Sequence, residues 1–161
     1  HYSMGSTLII TPVEELQEKI NEMVSSFRDT TAIYVSLNKT QKSVEKALLK
    51  ANVKTDKVFF IDCATNERTT DDVLHINPRN LDELAYSIKT FVKSIQGRKS
   101  LLIDALSTLL IYNSENKVAA FIKEIAEYSI HNDVEIVALS PQTKGEELLN
   151  KIFNFFDLVV K

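Results

Sequence analysis

Acids and hydroxyls that close short apolar runs are the residues of this chain best placed to do chemistry. Asp104 ends the run Leu101-Leu102-Ile103, and Asp62 ends Val58-Phe59-Phe60-Ile61. A carboxylate at a strand's carboxyl end is where a nucleotide hydrolase holds magnesium through water. The plainer role is structural, and Asp104 is expected to accept the N–H groups of Ser107 and Thr108 in the following turn. Ser36, Ser107 and Ser140 add hydroxyls, yet none sits in the Gly-x-Ser-x-Gly turn that exposes a hydrolase nucleophile.

Cys63 is the single cysteine, which rules out an internal disulfide and any cysteine-based zinc site. Only Arg68 lies close to it in sequence, so a buried, inert thiol is expected. His75 and His131 fall in different segments without a partner at ligand spacing. His1 belongs to residues 1–6, which read as a leader left by cloning because Gly5-Ser6 follows Met4. No metal and no cofactor are expected.

Phosphate chemistry has a second requirement, a glycine-rich first loop with free N–H groups at the next helix start. The three glycines are Gly5, Gly97 and Gly145, and none stands there. Thr11-Pro12-Val13-Glu14 has instead the spacing of a capping box, with Thr11 as cap, Pro12 in the first helical position and Glu14 reaching back. Glu14 and Glu15 would also repel an anion at that helix end. Asn38 with Gln41, Asn80 with Glu83 and Thr143 with Glu146 repeat the spacing.

The elements that position these residues follow from hydrophobic period. Runs rich in β-branched and aromatic residues predict strands at 7–11, 31–36, 57–62, 100–104, 134–140 and 157–161, with a short one at 73–77 ended by Pro78. Segments of helical period separate them. One stripe is Leu16, Ile20, Met23, Val24 and Phe27, and another runs from Leu81 to Ile95. Further helices are expected at 44–51, 118–130 and 145–155. Val58-Phe59-Phe60-Ile61 lacks polar alternation, as a strand covered on both faces should. The expected fold is therefore a three-layer α/β/α domain over 7–161 with a mostly parallel central sheet. In such sheets ligands gather at the carboxyl ends of the strands. That rim holds Thr11, Ser36, Asn38, Asp62, Asp104, Ser107 and Lys144.

Composition narrows the partners. The chain has 161 residues, 44% of them hydrophobic and 25% charged, with no apolar run of membrane-spanning length. A net charge of -3 supplies no basic field, which disfavours nucleic acid. The lone cysteine suits the cytoplasm.

The segment Leu101-Leu102-Ile103-Asp104-Ala105-Leu106-Ser107-Thr108-Leu109-Leu110 resembles the Walker B strand of the RecA superfamily, in its KaiC-like ATPase branch with archaeal members. Ala32-Ile33-Tyr34-Val35-Ser36 is similar to the strand after the P-loop helix of that P-loop NTPase fold, and Val58-Phe59-Phe60-Ile61-Asp62 to the next. The resemblance implies nucleotide hydrolysis between subunits of a ring. Its Walker A loop is replaced here by Thr11-Pro12-Val13-Glu14-Glu15, and its water-activating glutamates by Ser36-Leu37-Asn38. Only Asp104 remains of that set. The chain thus resembles a degenerate, non-hydrolysing pseudo-ATPase, with protein partners or self-association as its business in a regulatory or signalling role. The apolar run 106–112 is either buried or an intersubunit contact. A small-ligand or nucleotide binder using the rim without a P-loop is the alternative. A receiver-like fold, with Asp62 and Lys144 as its acid and lysine, is a third.

Overall fold

The computed structural model describes residues 5–27, 29–64, 73–142 and 146–161. Seven strands form one sheet: β1 (Ser6–Thr11), β2 (Thr31–Ser36), β3 (Val58–Asp62), β4 (Val73–His75), β5 (Lys99–Asp104), β6 (Val134–Pro141) and β7 (Leu158–Val160). Their order is β4-β3-β2-β5-β6-β1-β7, and every neighbouring pair is parallel. Among the described residues five helices connect them: α1 (Leu16–Ser26), α2 (Gln41–Lys50), α3 (Leu81–Ser94), α4 (Glu115–His131) and α5 (Glu146–Ile152).

The layers follow from the direction of travel across the sheet. From β1 the chain moves towards the β4 edge, and from β4 it moves back. Right-handed crossovers place helices of opposite travel on opposite faces. Accordingly, α1 and α2 bury Ile20, Val24, Val44 and Leu48 against Ile9, Tyr34 and Leu102. On the other face α3, α4 and α5 bury Ile88, Ile122 and Leu149 against Leu8, Ile33 and Ile103. Successive strand residues feed the two clusters alternately, which is why the central strands read as unbroken apolar runs.

Several boundaries depart from the pattern. Ser6, counted with the leader in the sequence, is the first residue of β1, buried and paired with Asp157 through both its N–H and its hydroxyl. β4 is shorter than 73–77, because beyond His75 the ladder is reduced to the Ile76 N–H donating to the Asp62 carbonyl. The last helix ends at Ile152 and tightens into a 3-10 turn, Phe153–Phe155.

Two expected caps are corrected. Thr11 does not cap a helix: it belongs to β1, and its carbonyl accepts the Gln142 N–H. The turn Val13–Glu15 that follows has no side-chain cap, and α1 begins only at Leu16. Nor does Asn38 cap α2, since the Thr40 hydroxyl accepts the Ser43 N–H instead. Thr11 is still in the strand and Pro12 after it is extended, whereas Asn38 lies in the bend 37–39 that separates β2 from α2. Asn80 does cap α3, its side-chain oxygen accepting the Glu83 N–H, but the Glu83 carboxylate reaches back to the Asn80 side-chain amide, while the Asn80 backbone N–H donates to the Asn77 carbonyl. Thr143, the cap of the fourth box, lies outside the described residues.

A receiver-like arrangement is also overturned. The flavodoxin-like order sets β1 between β2 and β3, whereas here β1 lies between β6 and β7.

Candidate functional site

β2 and β5 are neighbours whose following helices lie on opposite faces of the sheet. Such a reversal is where open sheets form ligand crevices; here the two exit loops are tied to each other, the Leu37 N–H donating to the Asp104 carbonyl and the Thr108 hydroxyl to Asn38. Register sets named residues at that point. Ser36 of β2 pairs with Asp104 of β5 on one side and with Asp62 of β3 on the other. Three polar residues thus stand in a row across three strands, spaced roughly 4.8 Å apart by the ladder.

Each has partners from within the fold. Asp62, 1% exposed, accepts the Gln41 N–H at 2.9 Å and the Ala64 N–H at 2.8 Å. It therefore ties the first residue of α2 to the end of β3, with its charge at the positive end of the helix dipole. His75 Nδ1 lies 3.8 Å from Asp62 Oδ2. The Ser36 hydroxyl donates to the Lys39 carbonyl and closes the turn before α2. Cys63 is buried beside Asp62, and burial followed by that charge pushes its thiol up to about 12, which keeps it protonated.

Asp104 is 2% exposed and accepts the Tyr34 hydroxyl at 2.6 Å. Burial pushes the Asp104 carboxyl above its ordinary range, against the opposing effects of the Tyr34 hydrogen bond and the Lys39 charge. Burial, then the Asp104 charge, holds the Tyr34 phenol well above its usual range, so at neutral pH it keeps its proton and donates. The Thr108 N–H goes to the Ala105 carbonyl and not to the Asp104 side chain, which corrects the expected turn. The Asp104–Ala105 peptide is cis.

A folded-state acid raised above its unfolded value binds its proton more tightly in the native chain. Its contribution is then most favourable below the unfolded value near 3.9, and stability falls as pH rises through the folded value. Asp104→Asn removes the ionisation and keeps an acceptor for Tyr34. The variant should be more stable than wild type at pH 7, with the gap closing towards pH 4; urea unfolding at both pH values reads the sign.

The remaining rim residues are less concentrated. Asn38 is exposed and accepts the Thr108 hydroxyl, a bond that links the β2 exit loop to the β5 exit loop. Ser107 is half-buried in the 3-10 segment Leu106–Ile111. In that segment Leu106 and Leu109 are buried in the core while Ile111 is 72% exposed, so the run 106–112 divides between the two roles expected of it. Thr11 stands apart, because β6 separates β1 from β5. Lys144 lies outside the described residues, as does Arg68. Among the described residues no group of three or more His, Cys, Asp or Glu side chains could hold a metal ion. Clefts open elsewhere: one of about 470 Å³ lies at the amino end of the sheet beside Phe27, Thr30, Asn52 and Lys57. Another, of about 310 Å³, lies between α3 and α4 beside Arg79 and Lys117.

Sequence reasoning missed Tyr34 and the approach of His75 to Asp62. A tyrosine inside the aliphatic run Ala32-Ile33-Tyr34-Val35 was a usable signal, since a buried phenol hydroxyl needs a partner. His75 gave none, because its neighbour depends on the β3 and β4 register.

These features define a three-layer α/β fold with an all-parallel sheet and a polar row at its carboxyl rim. The chain belongs to a family of unknown function, DUF7090, whose model matches residues 4–161. No curated protein matches it. The fold is shared with solved structures from the archaeon Pyrococcus horikoshii. A KaiC-like protein of strain OT3 is 11% identical with a TM-score of 0.67, over 97% of this chain and 69% of that one. An uncharacterised protein crystallised with an unknown peptide is 10% identical with a TM-score of 0.75, over 99% and 77%. A third, also from strain OT3, is 10% identical with a TM-score of 0.68, over 100% and 84%. No described helix is long and apolar enough to cross a membrane.

Proposed function

We propose that residues 7–161 form one KaiC-like domain that has lost nucleotide chemistry and works as a protein-interaction or regulatory module. The observation that carries the reading is the state of the two rim carboxylates. Asp62 is taken by two backbone N–H groups and Asp104 by Tyr34, both in buried positions. Magnesium bound to nucleotide needs accessible oxygen ligands and a phosphate cradle. The residues here do not fit that group. Pro12 has no N–H to offer, Glu14 and Glu15 are the acids in the turn after β1, and Ser36 faces its own loop. Phosphoryl transfer depends almost wholly on positioning and electrostatic stabilisation, and neither has a source in these residues.

Exposed apolar side chains around the rim, Val13 and Ile111, give a partner something to bury. The unknown peptide in the P. horikoshii structure makes a peptide the first class of partner to try. Thermal denaturation with millimolar Mg·ATP, Mg·ADP, cyclic nucleotides and small metabolites separates this reading from a ligand-binding rim. The expected result is no reproducible change in Tm. A ligand-dependent rise that is abolished in a folded Asp104→Ala variant would establish the small-ligand alternative.

A further inference from the structure

α3 and α4 are clamped together about halfway along their lengths. Lys89 Nζ meets Glu124 Oε2 at 2.6 Å, and the Tyr128 hydroxyl donates to the Lys89 carbonyl at 3.5 Å. On the amino-terminal side of this clamp the cleft of about 310 Å³ opens between the two helices. Its apolar lining is Leu81, Ala120 and Phe121. From Lys117 to Glu124 the lining follows α4 for about 10 Å, the span of roughly three extended residues, and Arg79 and Asn113 carry it further.

Two cations line the cleft, Arg79 and Lys117, and among the described residues neither forms an ion pair. Elsewhere on this side of the sheet Lys89 and Lys151 each hold a carboxylate at 2.6 Å. The Arg79 guanidinium instead rests over the Tyr112 ring, 5.2 Å from its centre, which orients it and leaves its N–H groups for a carboxylate. Beside it the Asn113 amide donates to the Pro78 and Leu109 carbonyls, tying the chain before α3 to the turn before α4. The two acids in the lining are already compensated, Glu124 by Lys89 and Asp82 by its place in the first turn of α3. Tyr112 and its neighbour Ile111 add exposed apolar surface at the same end.

The geometry points to a docking groove for a short acidic segment of a partner protein, with an apolar side chain over Leu81, Ala120 and Phe121 and flanking carboxylates on Arg79 and Lys117. Apolar contact alone does not discriminate among peptides, whereas two unmatched cations beside it select the negative ones. A free anion such as phosphate leaves the apolar lining uncovered, and a nucleic-acid strand brings its phosphates against Asp82 and Glu124. The groove is then the recruiting surface of the interaction module proposed above, and depends on that reading.

Selection of a phage-displayed library of random seven-residue peptides on the full chain tests it. The enriched peptides should carry one or two acids next to a large apolar residue. Synthetic peptides from that pool, followed by fluorescence anisotropy, should bind Arg79→Ala and Lys117→Ala each about tenfold more weakly than wild type. On the double variant Arg79→Glu with Lys117→Glu the same library should yield basic peptides in place of acidic ones. Both positions are exposed, and thermal melts check that the fold is intact. A library without enrichment, enriched peptides without acids, or acidic peptides indifferent to these substitutions would each overturn the groove. Self-association abolished by Lys117→Glu, with no peptide enriched, would overturn it in favour of a second copy of this chain. Acidic peptides that bind elsewhere on the chain remove the groove and leave the interaction module standing, whereas ATP turnover at the rim counts against the module and leaves the selection unchanged.

Discussion

Asp62→Ala should lower the unfolding free energy by about 3 kcal/mol, measured as a shift in the urea midpoint with an unchanged slope. The substitution strands two backbone N–H groups, those of Gln41 and Ala64, whose acceptor is a carboxylate with 1% of its residue surface exposed. Both bonds are part-buried, Gln41 half-buried and Ala64 exposed, so each donor left without this partner costs towards the low end of about 1–3 kcal/mol. The α2 N-terminus also loses the negative charge opposite its dipole. Asp62→Asn keeps one carbonyl oxygen and should recover part of the loss. A cost near zero for Asp62→Ala would mean that water or another side chain satisfies those groups, and would free Asp62 for a ligand.

Leu102→Ala should cost about 3–4 kcal/mol, or roughly a 10 °C fall in Tm for a chain of this size. Leu102 is fully buried in β5, between β2 and β6, and shares the cluster with Ile20, Val24, Tyr34 and Val137. A cavity there is walled by a sheet on one side and by α1 and α2 on the other, and strands held in a ladder collapse poorly into a void. Against a total stability of about 5–15 kcal/mol, that loss is large enough to read by calorimetry and by chemical denaturation alike. Its effect is purely on packing. Comparison with Asp62→Ala therefore separates the cost of emptying the core from the cost of stranding polar groups at the rim.

The architecture was legible because local pattern carries it. Apolar runs such as Leu101-Leu102-Ile103 have the length of strands buried on both faces, and the stripe from Leu81 to Ile95 has helical period, so the sequence of elements was readable. The row Asp62, Ser36 and Asp104 was legible as three separate strand ends. That they adjoin was not, because adjacency depends on β2 pairing with both β3 and β5, a fact of long-range register. Thr11 was placed with them on equal terms, and only the insertion of β6 beside β1 shows it to be remote. The caps at Thr11 and Asn38 failed for a different reason. Capping spacing identifies a residue able to cap, while the end of the strand or the turn before the helix decides which residue does. Tyr34 was present in the sequence as an anomaly of type, and its role became visible once Asp104 was found within hydrogen-bond reach.

On the proposed reading, the carboxyl rim of this sheet performs no phosphoryl transfer. Single-turnover hydrolysis, with protein in excess over γ-labelled Mg·ATP, tests it most directly. Phosphate release should proceed at the rate of buffer alone, identically for wild type and Asp104→Asn. Release that rises with protein concentration and disappears in Asp104→Asn would contradict it.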